Sequence, residues 1–262
     1  GIGGNGTGLY NEGILAQARG IISSDGGNIT LTGTGGTGTG SIGIDFFGES
    51  KVNVGGTGTL TIHGTAGPGT DVENVGVWFE SSGTVLTAAG EVSITAIPGG
   101  AGIGFRVNTA NTLLPSGGLT VISDDVRISS GAAINGGASA ASFRPYTNGT
   151  HINLGSVADN TANTLELSDA ELDRVTCGTL NIGDANSGDL TVSANITRPA
   201  NTAINLSVGG AVNLNASSLN SAGGNVSIDG PGGVTPAAAG PDVSMGATGT
   251  LTFGADNNLN IQ

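Results

Sequence analysis

The chain repeats itself at a fixed interval, and that recurrence limits its folds more than any other feature. A short Gly-led apolar unit returns as Gly13-Ile14-Leu15, Gly43-Ile44-Asp45-Phe46, Gly76-Val77-Trp78-Phe79 and Gly104-Phe105-Arg106-Val107, with starts 30, 33 and 28 residues apart. The first three are each followed by a second apolar step at Ile21-Ile22, Val52 and Val54, or Val85-Leu86. Each then reaches an alternating run: Ile29 and Leu31, Leu60 and Ile62, Val92 and Ile94. Gly/Thr turns such as Gly33 to Gly40 separate the runs. One repeat of about 30 residues thus offers three short strands with period-two apolar faces. A single repeat of that kind cannot bury its own face, so stacking must supply the core.

The second half changes period. Apolar-x-apolar triplets fall at Leu180/Ile182, Leu190/Val192, Ile204/Leu206, Val212/Leu214, Val226/Ile228, Val243/Met245, Leu251/Phe253 and Leu259/Ile261. Ile182, Ile204 and Val226 are 22 apart, as are Leu190 and Val212. The reading is therefore all-β: a parallel β-helix of roughly nine to eleven coils stacked at the ~4.8 Å strand spacing, about 45–55 Å long. It divides into repeats of about 30 residues over 1–125, an irregular transition or lateral excursion over 126–164, and coils of about 22 residues over 165–262. Together these form one continuous solenoid. Ser168-Asp-Ala-Glu171 carries a capping-box pattern, which fits either one helical turn or a tight β-turn.

Composition supports this picture. Gly is 50 of 262 residues and aromatics are 3%, too few large side chains for a conventional enzyme core. Gly follows no strict three-residue period and Pro numbers only eight, which excludes collagen. An apolar fraction of 37% in short alternating runs argues against disorder. Net charge is −13, with six Arg and the single Lys51, so nucleic acid and anionic membrane surfaces are poor partners. No stretch approaches the ~18 apolar residues of a membrane span. No signal peptide is visible, and both ends read as cut from a longer polypeptide that carries any targeting segment. The lone Cys177 has apolar neighbours and reads as a small buried residue.

Candidate chemistry is sparse. Asp184, Asn186 and Asp189 place oxygen atoms at near-alternate positions around Gly183 and Gly188, a low-grade calcium candidate that competes with a plain Asx/Gly turn. Asp124 and Asp125, followed by Arg127, suggest an acid and a charged clamp, but adjacent strand residues face opposite sides. Asp71, Glu73, Asp169, Glu171 and Asp173 read as solvated turn acids, and His63 and His151 lie too far apart in sequence to suggest zinc. No catalytic or cofactor-binding residue is expected. Trp78, Phe79, Phe46, Phe47 and Phe105 share one repeat position and are expected to stack in the core. Of seven Asn-x-Ser/Thr sequons (Asn5, Asn28, Asn148, Asn195, Asn205, Asn215 and Asn225), Asn205 and Asn215 adjoin core positions and suit side-chain ladders.

The segment from Leu167 to Val192, LSDAELDRVTCGTLNIGDANSGDLTV, resembles a recurring block of filamentous-haemagglutinin-like β-strand-repeat proteins, which leave bacteria by two-partner or autotransporter secretion. The Gly/Thr turn after Ile29-Thr30-Leu31 resembles their upstream repeats. The resemblance implies a right-handed parallel β-helix and an extracellular, cell-surface role as adhesin, fibre or surface layer. It brings no catalytic residues. The expected function is a non-enzymatic structural or adhesive segment of a surface fibre. Alternatives are a self-assembling filament or surface-layer subunit, a polysaccharide-degrading β-helix enzyme, and a phage fibre or toxin-delivery stalk. Expected partners are the neighbouring β-helix of the same chain, head-to-tail subunits, and host or cell-surface glycans or proteins.

Overall fold

The computed structural model describes residues 1–6, 8–69, 71–100, 102–159, 161–215, 217–236 and 242–254. The triplet Leu259/Ile261 lies outside the described residues. Strands come in sets of three, starting with β1 (Ile14–Ala16), β2 (Ile21–Ser24) and β3 (Ile29–Thr34). Next come β4 (Ile44–Phe46), β5 (Lys51–Val54) and β6 (Leu60–Thr65), then β7 (Val75–Phe79), β8 (Val85–Ala88) and β9 (Val92–Ile97). The pattern continues through β10 (Ile103–Val107), β11 (Thr112–Pro115) and β12 (Leu119–Ile122), then β13 (Val126–Ile128), β14 (Ala133–Asn135) and β15 (Ala140–Arg144). A longer set follows: β16 (His151–Leu154), β17 (Thr164–Leu167), α1 (Asp169–Leu172), β18 (Val175–Thr176) and β19 (Thr179–Ile182). Three shorter sets end the described chain. They are β20 (Leu190–Val192), β21 (Ile196–Thr197), β22 (Ala203–Ser207); β23 (Val212–Asn213), β24 (Leu219–Asn220), β25 (Val226–Asp229); and β26 (Val234–Thr235), β27 (Val243–Ser244), β28 (Leu251–Phe253).

Sheets form between sets, except that β16 and β17 of the longer set also pair with each other. The last strand of every set joins one nine-stranded sheet, β3-β6-β9-β12-β15-β19-β22-β25-β28. The first strands form β1-β4-β7-β10-β13, and the second strands form β2-β5-β8-β11-β14-β18. Later sets continue as β17-β16-β20-β23-β26 and β21-β24-β27. Ladder pairing is parallel in both halves. The protein is thus nearly all-β, with parallel strands in stacked sheets, consistent with a parallel β-helix or solenoid.

Along the long sheet the paired positions are Ile29, Leu60, Val92, Leu119, Ala141, Leu180, Ile204, Val226 and Leu251. Subtracting neighbours gives steps of 31, 32, 27, 22, 39, 24, 22 and 25 residues. Two expectations need correction. Residues 126–144 are not irregular: β13, β14 and β15 pair in register with β10, β11 and β12, so the excursion begins after Arg144 and returns at β18. Their inward residues Val126, Ile128, Ile134, Ala141 and Phe143 are spread over three short strands set in Ala- and Gly-rich sequence, which hid the repeat. Also, Ile182 pairs with Leu206 rather than Ile204, because two additional residues enter between β19 and β22.

The core is a column of stacked apolar ladders. Ile44 and Phe46, Val77 and Phe79, Phe105 and Val107, and Val126 and Ile128 point inward at alternate positions and are essentially fully buried. Phe46 stacks on Phe79 with centroids 4.6 Å apart, and Phe105 meets Phe79 edge-on at 6.2 Å. Each such side chain contributes roughly 2–3 kcal/mol of burial. Phe47 stays partly exposed, and Trp78 faces away from this column. Polar ladders run alongside: Asn205 Nδ2 donates to Asn181 Oδ1 at 2.8 Å, and Asn181 Nδ2 to Ser142 Oγ at 3.0 Å.

At one corner the backbones approach so closely that only glycine fits. A Cβ on Gly64, in β6, would lie 2.1 Å from the carbonyl oxygen of Gly76, in β7. Beyond that corner Ile42, Val75 and Ile103 form a small second cluster with Trp78, outside the main column. The capping box is real: Ser168 and Glu171 exchange side-chain and backbone hydrogen bonds around α1. It yields one helical turn.

Candidate functional site

The outer face of the sheet β4-β7-β10-β13 concentrates the charge chemistry. Since alternate residues face alternate sides, the inward pairs Ile44/Phe46 and Phe105/Val107 leave Asp45 and Arg106 on the outer face. Register then aligns Asp45, Trp78, Arg106 and Arg127 on successive strands. Arg106 lies over the Trp78 ring with its guanidinium carbon 4.7 Å from the centroid. The Trp78 indole Nε1 is buried without a hydrogen-bond partner among the described residues. Asp45 is 3% exposed. Burial, then the charge and hydrogen bond of Glu80, push its carboxyl up to about 8. Burial raises Glu80 too. Burial thus makes both carboxyls harder to ionise than free ones.

A cavity of about 560 Å³ opens where this face meets the excursion, lined by Val72, Gly102, Asp125, Arg127, Asp159 and Thr161 among others. A neighbouring hollow of about 380 Å³ shares Arg127 and Asp159 and adds Arg106, Arg174, Ser129 and Ser130. Arg127 forms a fork on Asp125, with Nε to Oδ1 at 3.1 Å and Nη2 to Oδ2 at 3.0 Å. Its Nη2 also donates to the Asp159 carbonyl at 2.5 Å, fixing the excursion to β13. Burial raises the Asp125 carboxyl, an effect Arg127 opposes. Burial, followed by the Glu171 charge, raises Asp159 to about 6.

Two further acids hold the walls. Glu166 Oε1 accepts from Ser156 Oγ at 2.7 Å and Thr161 Oγ1 at 3.0 Å, while its Oε2 accepts from Thr161 N at 3.0 Å. Glu171 Oε1 accepts from Ile128 N at 3.0 Å, and its Oε2 accepts from Ser168 N and Oγ. Both carboxylates thereby brace the loop and α1 against the stack. The site as a whole offers guanidinium donors, hydroxyls and one carboxyl that titrates near neutrality.

The calcium candidate is arranged differently. Asp184 Oδ2 accepts from Arg144 Nη1 at 3.0 Å, and its Oδ1 accepts from Asn186 N at 2.9 Å and Ser187 Oγ at 3.3 Å. Asp189 Oδ1 accepts from Ala211 N at 2.8 Å. Protein donors thus already occupy these carboxylates. Among the described residues no group of three or more His, Cys, Asp or Glu is placed to hold a metal ion. Asp124 lines the larger cavity beside Asp125 and accepts from Tyr146 N, Thr147 N and Thr147 Oγ1 at 2.9, 2.9 and 2.7 Å. His151 Nδ1 accepts from Asp189 N at 3.1 Å, and His63 lies in β6. Cys177 is buried, and burial raises its thiol.

The sequence reading missed the arginine pairing. Phe105-Arg106-Val107 and Val126-Arg127-Ile128 are the same apolar-Arg-apolar word 21 residues apart, and aligning them would have brought the two cations together. Comparison of the chain with known protein families, curated proteins and solved structures finds no match.

Proposed function

We propose that the chain is a non-enzymatic segment of an extracellular, cell-surface fibre or adhesin. In this reading it forms a right-handed parallel β-helix of roughly nine to eleven coils, similar in kind to the filamentous-haemagglutinin-like β-strand-repeat proteins. The observation that carries the reading is the nine-stranded parallel sheet with its continuous inward ladder. A stack of that kind supplies stiffness and reach at low cost in charged residues, and it repeats along one direction. Surface spacing needs little more than that. The test is electron microscopy of native material, with antibodies against the chain applied to intact cells. Labelled, protease-resistant elongated structures at the cell surface are expected. Free globular monomers digested within minutes would overturn the reading.

A further inference from the structure

The arginine pair sets two like charges side by side on the outer face of β10 and β13. Arg106 and Arg127 are direct partners in neighbouring parallel strands and share the outer face, where facing like charges destabilise a sheet. Arg127 is answered by the Asp125 fork. Arg106 is half-buried and stacked on Trp78. It has no ion pair with the described residues, whose bridges are Arg19–Glu49, Arg127–Asp125 and Arg144–Asp184. Burial and the Arg127 charge press its pKa down, and the more distant Glu73, Glu80 and Asp125 offset this only in part. Of six arginines in a chain of net charge −13, Arg106, Arg127 and Arg174 all line the same hollow. A guanidinium fork matches the two oxygens of a carboxylate.

From this arrangement we infer that the Arg106–Arg127 hollow binds a saccharide carrying a single carboxylate. The carboxylate sits against Arg106, and the sugar ring extends into the larger cavity beside Asp159 and Thr161. Ser129 and Ser130 join Asp159 in providing donors and acceptors for ring hydroxyls. Val72 and Val157 are 58% and 88% exposed at the two hollows, giving apolar surface for the C–H face of a pyranose. Glu73 and Glu80 act on Arg106, and Glu171 acts on Asp159. These acids, with the net negative charge, repel polyanions, which selects one acid group per ligand. As a surface adhesin's contact with a glycan, the site rests on the function proposed above, but its binding is measured on the isolated chain.

The probe is a tetrasaccharide ending in glucuronate, titrated against its glucose-ended twin by calorimetry and by amide chemical shifts. The acidic form is expected to bind at least tenfold more tightly, with shifts centred on Arg106, Arg127, Ser129 and Ser130. Arg106→Gln, which keeps the stem over Trp78, should lose tenfold or more, and Arg106→Lys should lose less. Circular dichroism of each variant should match the parent. Equal affinity for the twins, no binding of the acidic form at millimolar concentration, or shifts located elsewhere would overturn the site. Displacement by equimolar inorganic phosphate would overturn the saccharide assignment, because the fork would then be a general anion site. Hydrolysis of the acidic tetrasaccharide would uphold the site and overturn the non-enzymatic reading. Absence of surface fibres would overturn the surface reading and leave the binding result standing.

Discussion

The repeats before Ile122 advance by 27 to 32 residues along the long sheet, and those after Thr179 by 22 to 25. Both regions bury the same kind of column, Leu60-Val92-Leu119 in one and Leu180-Ile204-Val226 in the other. Much of the difference lies in the connecting segments 35–43, 66–74 and 98–102 of the wide region, against 208–211 and 230–233 of the narrow one. In the wide region Ile42, at the end of the first of those segments, joins Val75, Trp78 and Ile103 in the strands that follow to form a second cluster, and with it a place for partly buried charges. The narrow region has no such cluster among its described residues; its buried cation, Arg198, donates to the Leu172 and Val175 carbonyls. Stacking demands only the ladder, so residues beyond that minimum are free to build a lateral site.

The largest expected effect breaks the column in the narrow region. Ile204→Asp places an unpaired charge among fully buried neighbours, at a cost on the order of 4 kcal/mol or more. Because stability in a stack is set by nearest neighbours, hydrogen exchange should rise across β19 to β28 while β4 to β10 stay protected. A soluble variant with unchanged exchange would mean the register is wrong.

Gly64→Ala attacks the wide region at its corner. The added methyl meets backbone that cannot yield cheaply, and the overpacking should cost about 1–3 kcal/mol. Denaturant unfolding measures it. A neutral result would show that the corner is looser than the Gly64–Gly76 approach requires.

The wide region's buried acid pair makes its stability depend on pH. Folded Asp45 holds its proton up to about pH 8, whereas in the unfolded chain an Asp releases it near 3.9. The folded state therefore binds more protons over that window, and stability falls as pH rises from about 4 to about 8. The melting midpoint should drop by roughly 5 °C between pH 5 and pH 8, and Asp45→Asn should flatten the slope. A slope unaltered by the substitution would assign the dependence to other groups. The smallest effect belongs to the narrow region's polar ladder. Asn181→Ala removes both the Ser142 and the Asn205 hydrogen bonds and should cost about 1 kcal/mol in denaturant unfolding.

Much of the stacking was legible because period-two apolar runs announce themselves. Ile29, Leu60 and Val92 pair as their spacing predicts, and so do Leu190 with Val212 and Ile204 with Val226. The middle strands of the first two narrow repeats were not legible. β21 and β24 are two residues long, so Ile196 and Leu219 show no alternation. The extent of the excursion was also hidden, since neither Ala141 in β15 nor Ile134 in β14 stands in a strongly apolar run. The site was the least legible part. Arg106, Arg127 and Asp159 lie in separate segments of unremarkable composition, and only the 21-residue register and the excursion's return bring them together.

The central claim is that wide and narrow regions share one parallel sheet, joined across the 39-residue step between β15 and β19. Cross-strand amide-to-Hα nuclear Overhauser contacts measure that junction directly. Contacts linking Ala140–Phe143 with Thr179–Ile182 in parallel register are predicted, with Ala141 opposite Leu180 and Phe143 opposite Ile182. Contacts from Ala140–Phe143 to His151–Leu154 instead, or protected strands on each side with none between them, would contradict it.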